Sequence, residues 1–594
     1  MKRAALFSSV IAAALLAMPR EAEACGGTFC DTGPNAMPVP QTGENILFAM
    51  GEGYTEAHIQ IQYDPNTEAA KFAWVVPMTA LPEFSVGSQT LFTNVLASTV
   101  PAYGFNYTFD SCGDQGNSSG LTGGDGGGDP GGTSAGDETG GETGPEVILH
   151  ETVGAFEITV LQGGTAEEVM TWLGDNGYQQ DAAAEPILAE YLAENYIFAA
   201  FKLTNGAEIG EIHPITLRFA NDEACVPLRL TRIAAEEDME VRTFFLANDR
   251  VVPQNYKHVL VNPLELDWPN FASNYKEIIT LAVDAFGADG KAFVTEYAGP
   301  SSVVNPSGIF DASWSPAAFE GLDPIAVVDT LSSQNLMFCD EFNGCVFIHP
   351  LIEGLLAQFL PVPDGLGRDE FYGCLSCNEA MIDTMAWGDG SGFSTAMQER
   401  IVAPGQHAAD LLAEFPTLTR MYTTISPAEM TEDPFFWQNP DLPPVDLTAS
   451  LATRRIFCNG DALWTLPDGK EVLVPDDGAW PDFGDEMPYV EEIATTPANG
   501  APIAIVDNRT SIQGQLDTYN CALGYPATTC GDNADTSGGS ASGGSASGGD
   551  SSGSDTAGEN DDSGSGCGCN SGGSTSGVLL LLGAIALRRR RRDR

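Results

Sequence analysis

Two long segments rich in glycine, serine and acidic residues limit what this 594-residue chain can fold into. Residues 113–144 contain 14 glycines and 6 acidic residues, with no lysine or arginine. Residues 531–566 contain 21 glycines or serines, with repeated Ser-Ala-Ser-Gly-Gly units. Neither segment can bury enough apolar surface to offset the entropy lost on ordering. We therefore predict a disordered loop at 113–144, a flexible tether at 531–566, and a folded body at 25–112 and 145–530.

The first 24 residues have the parts of a secretory signal peptide. A short basic start, Met1-Lys2-Arg3, precedes the apolar run from Ala4 to Met18, and Ala22-Glu23-Ala24 fits a cleavage site. A transmembrane anchor is the alternative, but the run is ~15 residues long and a span takes ~20. We predict export by the general secretory route, with Cys25 at the mature start. Lipidation of Cys25 stays open, although a lipoprotein signal would place leucine where Ala22 stands.

The C-terminus, residues 567–594, combines a cysteine motif, a short apolar run (578–587) and an arginine cluster. The motif residues are Cys567, Cys569, Arg588, Arg589, Arg590, Arg591 and Arg592. This order of parts resembles the MYXO-CTERM sorting domain of myxobacteria and relatives. The resemblance implies a membrane sorting protease as partner and attachment to the outer surface of a Gram-negative cell, or release into the medium. A weak transmembrane tail anchor is the alternative, with the arginines cytoplasmic.

The net charge of −56 excludes some classes of partner. Nucleic-acid binding needs clusters of lysine and arginine that contact phosphates, so we predict no nucleic-acid partner. A polybasic membrane-surface protein is excluded for the same reason. Hydrophobic residues make up 43% of the chain, which excludes complete disorder.

The first part of the body alternates between strand and helix patterns. Ile59 and Ile61 alternate with His58 and Gln60, which predicts a strand with one polar face in solvent. Thr165 and Glu168 form a capping box at the start of a helix, and a second helix follows Pro186. Further helix and strand patterns predict a helix at 88–99 and strands at 72–76, 147–149, 155–161, 196–203, 215–219 and 226–230. The fold class is therefore α+β, a strand-rich body with an inserted helical pair.

The order of several short motifs in this part resembles a known family. These are Cys25-Gly26-Gly27-Thr28-Phe29-Cys30, Ala73-Trp74-Val75-Val76-Pro77, Trp172-Leu173 with Asn176-Gly177-Tyr178, the 196–203 segment, and Val226-Pro227-Leu228-Arg229-Leu230. They resemble the secreted bacterial domain-of-unknown-function family numbered 2330. The resemblance implies an exported protein of the cell envelope, and the family brings no catalytic residues to carry over.

The chain beyond residue 265 has less regular patterns. We predict an α+β domain at 25–265 and a second, loop-rich, cysteine-containing domain at 266–530. Helix candidates lie at 271–284, 355–360 and 379–387, and strand candidates at 463–466, 471–474 and 503–506.

Cysteines of an exported chain are expected to form disulfides. The candidates are Cys25, Cys30, Cys339, Cys345, Cys374, Cys377, Cys521 and Cys530. The short-range pairs are 25–30, 339–345 and 521–530, although sequence cannot fix connectivity. Cys374-Leu-Ser-Cys377 is either a structural disulfide or a redox motif. Alternatively, the four cysteines from 339 to 377 bind zinc, or Cys25 acts as an N-terminal nucleophile.

Catalytic motifs are lacking elsewhere. The six histidines form no metal-ligand motif, so each is interpreted as a surface or hydrogen-bonded residue. Gly-x-Ser-x-Gly matches at Ser118, Ser134 and Ser551 lie in the low-complexity segments, without the strand and helix that a nucleophile elbow needs. Asp389 either shapes a turn or binds calcium. We assign no catalytic, cofactor-binding or metal-binding residues and no cofactor, with calcium and zinc as the alternatives.

The favoured interpretation is a non-enzymatic exported protein displayed on the cell surface for interaction or structure. A secreted hydrolase of unrecognised type and a metal or redox envelope protein that uses Cys374 and Cys377 are the alternatives.

Overall fold

The computed structural model describes residues 41–62, 73–110, 145–178, 182–204, 212–221, 223–233, 235–340, 344–476, 479–484 and 486–526. The strands are β1 Gln41–Gly51, β2 Tyr54–Gln62, β3 Ala73–Met78, β4 Glu83–Val86, β5 Tyr103–Phe109, β6 Glu146–Val153, β7 Phe156–Gln162, β8 Ile197–Leu203, β9 Ile215–Phe219, β10 Ala224–Cys225, β11 Ala235–Ala247, β12 Val251–Pro253, β13 Lys257–Val261, β14 Ala292–Pro300, β15 Met337–Asp340, β16 Gly344–Phe347, β17 Thr417–Ile425, β18 Phe435–Gln438, β19 Val445–Asp446, β20 Ser450–Ile456, β21 Ala462–Thr465, β22 Glu471–Val474, β23 Val490–Thr495 and β24 Ile503–Asp507. The α-helices are α1 Gln89–Thr99, α2 Ala166–Asp175, α3 Ala184–Ala193, α4 Leu228–Thr231, α5 Tyr275–Val283, α6 Val327–Ser333, α7 Ile352–Phe359, α8 Arg368–Gly373, α9 Thr384–Trp387, α10 Ser391–Met397, α11 Ala403–Glu414 and α12 Arg509–Ala522.

An 11-stranded mixed sheet forms the centre of the fold. Its strands follow the order β24-β23-β13-β14-β17-β11-β1-β2-β9-β4, and β19 pairs with β14. Strand β1 runs parallel to β11 and antiparallel to β2. The boundary predicted between residues 265 and 266 lies between β13 and β14, which are neighbours in this sheet. Both predicted domains therefore contribute strands to one sheet.

Side chains of the central strands alternate between two buried cores. Ile46 and Phe48 point to a core shared with the four-stranded sheet β3-β8-β7-β6. Leu47 and Ala49 point to the opposite core, which α1 and α11 close through Leu91, Phe92, Val95, Ala408 and Leu411. Helices α2 and α3 cover the outer face of the smaller sheet. Strand β2 consequently lies inside the protein, with no broad face open to solvent.

The predicted helical pair is confirmed between β7 and β8. Helix α2 begins with the predicted capping box, in which the Thr165 side chain accepts from the Glu168 N–H and the Glu168 carboxylate accepts from the Thr165 N–H. The mixed, strand-rich architecture of the prediction is likewise confirmed.

Short helices α6 to α10 and the hairpin β15–β16 pack around a separate apolar core between residues 314 and 401. Two disulfides lie here. Cys339–Cys345 joins the two strands of the hairpin, and Cys374–Cys377 closes the turn that follows α8. Both pairs were among the disulfide candidates. Cys458 and Cys521 are also disulfide-bonded, whereas Cys225 is free.

Two predictions of secondary structure are wrong. Residues 226–230 were predicted as a strand, yet Leu228 begins the one-turn helix α4. Every residue of that helix is buried, so burial does not follow the alternation of apolar residues, and Pro227 could not donate to a sheet ladder. The helix predicted at 379–387 is instead a 3-10 turn at Glu379–Met381 followed by α9.

Several sequence predictions lie outside the described residues. They are the signal peptide, Cys25, Cys30, the 113–144 loop, Cys530, the tether and the sorting tail. Among the residues that are described, no helix is both long enough and apolar enough to cross a membrane.

Candidate metal centre

Two polar side chains of β2 are buried beneath helix α11. Glu56 and His58 alternate with the apolar residues of the strand, and their side chains are 2% and 1% exposed. They lie opposite Arg218 and Thr216 on β9. The solvent-exposed polar face predicted for this strand is therefore wrong, because α1 and α11 cover that side of the sheet.

Helix α11 supplies a third polar side chain to the same place. A π-helical turn, Gln398–Val402, precedes α11, and the Ala403 N–H bonds to the Gln398 carbonyl five residues back. Pro404 has no N–H to donate, which suits this break in the regular ladder. His407 then points down to the sheet, where its Nε2 lies 2.5 Å from Glu56 Oε1.

The ligand-type atoms of these residues converge on one point. His58 Nε2 lies 2.8 Å from the same Glu56 oxygen, yet it makes no hydrogen bond of acceptable geometry and is buried. The three ligand atoms all lie within 4.8 Å of one another. His58 Nε2 and Glu56 Oε1 are close without being aligned for a hydrogen bond, as two ligands around one metal ion are. The set comprises two imidazole nitrogens and one carboxylate oxygen, which suits zinc and neighbouring divalent metals.

Neighbouring strand residues fix the orientation of the two buried groups. Arg218 Nη1 donates to Glu56 Oε2 at 2.9 Å. Thr216 Oγ1 lies 3.0 Å from His58 Nδ1, so the Nε2 atom is the one turned toward Glu56. Such outer partners hold metal-binding histidines and carboxylates in most protein sites.

The electrostatics of the cluster favour an ionised Glu56. Burial alone would raise the pKa of Glu56, but the hydrogen bond from His407 and the close His58 imidazole lower the pKa of Glu56 below its usual range. The bond to Glu56 in turn raises the pKa of His407. The side chain of His407 is 40% exposed, so one side of the cluster faces solvent. The centre thus keeps a ready carboxylate and an open approach for water or a ligand.

The other sequence-predicted positions do not join this cluster. The sulfurs of Cys339, Cys345, Cys374 and Cys377 are paired as two disulfides. Cys374 and Cys377 follow the C-terminus of α8 and lie at a 3-10 turn, rather than at the start of an α-helix as in a redox motif.

Asp389 shapes a turn, since its Oδ1 accepts from the Ser391 N–H and hydroxyl at 3.1 and 2.5 Å. His213 is buried, and its Nε2 accepts from the Ala155 N–H at 3.0 Å. These two residues have local structural roles.

Sequence reasoning missed the centre for two reasons. The Glu56-x-His58 spacing does place both side chains on one strand face, and it was the available signal. Because this face was assumed to meet solvent, Glu56 and His58 were not considered as metal ligands. His407 is 351 residues from Glu56 along the chain, and no local pattern connects them.

A second polar cluster surrounds Arg229 beside a cavity of about 290 Å³. Arg229 binds Asp433 through Nε at 2.9 Å and Glu194 through both terminal nitrogens. Tyr191 donates to Asp433 at 2.8 Å. Among the described residues, those that line this cavity include no histidine, serine or cysteine, and Arg229, Glu194 and Asp433 are bound to one another. We interpret it as a structural network that ties α3 and α4 to the segment before β18.

Comparison with known proteins gives one result. Residues 19–309 match the family described as "Uncharacterized protein conserved in bacteria (DUF2330)". No curated protein and no solved structure matches the chain. Glu56, His58, Thr216 and Arg218 lie inside the matched segment, whereas His407 lies beyond its end.

Proposed function

Residues 19–309 of this chain belong to the DUF2330 family of uncharacterized bacterial proteins, and on that premise we propose an exported metal-binding protein of the cell envelope. The metal would be one divalent cation held by Glu56, His58 and His407. The convergence of two imidazole nitrogens on one oxygen of a buried glutamate carries this proposal.

The burial of Glu56 and His58 supports metal binding over a purely structural hydrogen-bonded cluster. A buried nitrogen usually finds a well-aligned partner, because an unsatisfied one costs ~1–3 kcal/mol. His58 Nε2 lacks such a partner, although it lies within contact distance of an acceptor. A cation at the shared position would satisfy both nitrogens and the carboxylate oxygen together.

The open side supports an exchangeable cation rather than a sealed one. Structural zinc sites take four protein ligands, whereas sites with three protein ligands keep a position for water or substrate. Here three protein ligands converge and His407 remains partly exposed. A role in holding or presenting a cation at the cell surface agrees with the non-enzymatic interpretation of the sequence.

Export and display are the second half of the proposal. The signal peptide, the tether and the sorting tail support secretion, processing by a membrane protease, and attachment to the outer surface. The disulfides at Cys339–Cys345 and Cys374–Cys377 suit an oxidising compartment. Protease shaving of intact cells should remove the body, and a protease-inaccessible cytoplasmic pool would contradict display.

Metal binding is tested on the purified full chain after chelation and dialysis. Titration with Zn²⁺ should show one tight site, and elemental analysis of protein from cells should find one metal per chain. Glu56→Gln and His407→Gln should each weaken binding by more than the ~10–100-fold typical of losing an outer partner.

His150→Gln is the matched control. His150 Nε2 also lies near a carboxylate, Glu157, at 3.3 Å, but both side chains are about half exposed. This variant should bind zinc as the native chain does. A native chain without a stoichiometric site, or a Glu56→Gln variant with unchanged affinity, would refute the proposal.

A further inference from the structure

The second oxygen of Glu56 is already occupied by a protein cation. Arg218 Nη1 donates to Oε2 at 2.9 Å, while Oε1 faces the two histidines. A carboxylate held in this way can offer a metal only one oxygen. Arg218 therefore limits how Glu56 can bind a cation.

A stacked side chain keeps the Arg218 guanidinium in place. The guanidinium carbon lies 3.7 Å from the centre of the Tyr54 ring, a cation–π distance. Tyr54 is itself fixed, since its hydroxyl donates to Glu414 Oε1 of α11 at 3.3 Å. A Cβ at Gly51 would come within 2.0 Å of the Tyr54 ring, so glycine at the β1–β2 turn lets the ring fold back there. These contacts hold the arginine over the carboxylate.

We propose that Arg218 is the specificity-determining residue of the metal centre, which it restricts to four-coordinate borderline cations such as Zn²⁺ and Co²⁺. This inference rests on the proposed function. Calcium takes six to eight oxygen ligands and uses bidentate carboxylates, and magnesium and manganese favour oxygen-rich octahedral sites. A monodentate glutamate beside two imidazoles supplies too few oxygens for these cations.

The positive charge of Arg218 acts in the same direction. It repels any divalent cation, but a cation that binds imidazole strongly regains more from His58 and His407 than a hard cation does. Removing the charge should strengthen binding of every cation. The change in the ratio of the zinc and manganese affinities, rather than in either affinity alone, therefore shows whether Arg218 determines specificity.

The test compares Zn²⁺ and Mn²⁺ affinities of the full chain and its Arg218→Met variant, which retains a similar side-chain length. We expect the preference for zinc over manganese to fall at least tenfold in Arg218→Met, because Glu56 becomes free to chelate. Bound Co²⁺ should lose the intense visible absorption of four-coordinate cobalt. Arg218→Lys keeps the charge without the planar fork and should give an intermediate ratio.

Two further variants keep the result interpretable. Arg368→Met removes an arginine of similar exposure that pairs with Glu353 and Asp369 on another part of the fold, and it should change nothing. Tyr54→Leu removes the stacking ring without removing the charge. Tyr54→Leu should shift the zinc-to-manganese affinity ratio in the same direction by a smaller factor. It replaces Arg218→Met as the test variant if Arg218→Met fails to fold.

The outcomes separate the two proposals. If the native chain binds no zinc, the proposed function fails. If native and Arg218→Met chains both bind zinc with a zinc-to-manganese ratio equal within twofold, the metal centre stands and the role of Arg218 is refuted. An unchanged ratio in Tyr54→Leu, where that variant is the one that folds, refutes it equally.

Discussion

Zinc should stabilise the folded chain through His407, and replacing this histidine separates the contribution of the metal from that of the hydrogen bond. In metal-free protein, His407→Ala removes one charge-assisted hydrogen bond to Glu56. Such bonds contribute ~1.5–3 kcal/mol when they are protected from water. Because the His407 side chain is 40% exposed, we expect a loss of only about 1 kcal/mol.

With zinc present, the difference between the native chain and the variant should grow. A cation that binds only the folded state adds RT ln(1 + [L]/Kd), about 2.7 kcal/mol at a free concentration one hundred times Kd. His407→Ala leaves Glu56 and His58 as the remaining ligands, too few for tight binding. The native chain should therefore exceed the variant by about 4 kcal/mol in zinc and by about 1 kcal/mol in EDTA.

Urea denaturation followed by tryptophan fluorescence measures both differences, with the midpoint shift multiplied by the denaturant slope. His150→Ala, measured in parallel, should gain as much stability from zinc as the native chain. An equal zinc-dependent gain in His407→Ala would refute the assignment of this residue as a ligand. The assignment would also be refuted if zinc did not stabilise the native chain.

Three further predictions follow from buried or capping groups. Burial raises the pKa of Glu44 from 4.5 to about 7. The protonated form of Glu44 is therefore favoured in the folded chain at acid pH, and its contribution to stability is lost as the pH rises through 7. Glu44→Gln should remove this loss, which amounts to roughly 3 kcal/mol between pH 5 and 9 in thermal unfolding scans. Arg420 and Glu296 form an ion pair, and their side chains are 4% and 1% exposed. Arg420→Met should destabilise the folded chain by ~3–5 kcal/mol in urea titrations, because it leaves the Glu296 carboxylate buried without its partner. Adding Glu296→Leu to this variant should recover most of the lost stability. Thr165→Ala breaks the capping box of α2 and should cost ~1 kcal/mol by the same measurement, with no change expected in zinc affinity.

Local patterns predicted the elements that depend on local chemistry. The capping box at Thr165, the helical pair after it and the strands at 471–474 and 215–219 coincide with observed elements. Their signals lie within a few residues, and the buried residues of α2 recur at helical spacing. The two short-range disulfides among the described residues were predictable for the same reason.

Local sequence patterns could not predict features that depend on packing between distant parts of the chain. The polar face of β2 carries Glu56 and His58, and alternation cannot show whether solvent or a helix covers it. The helix that covers it, α11, comes from the far end of the body and brings His407 with it. The strand prediction at residues 226–230 failed similarly, because the buried Arg229 is held by Asp433, which lies 204 residues further along the chain.

The position of β17 in the central sheet has a consequence for how the chain folds. Strand β17 separates β14 from β11, yet it follows both in sequence and lies beyond residue 309, where the family match ends. Pairing between strands so far apart along the chain is slow, since the loop must close before the contact forms. A fragment of residues 19–309 would leave β11 and β14 with unpaired edges, which promote aggregation. We therefore expect the kinetic folding unit to extend to β17 at least, so that the sheet is completed only after the later half of the body has been synthesised.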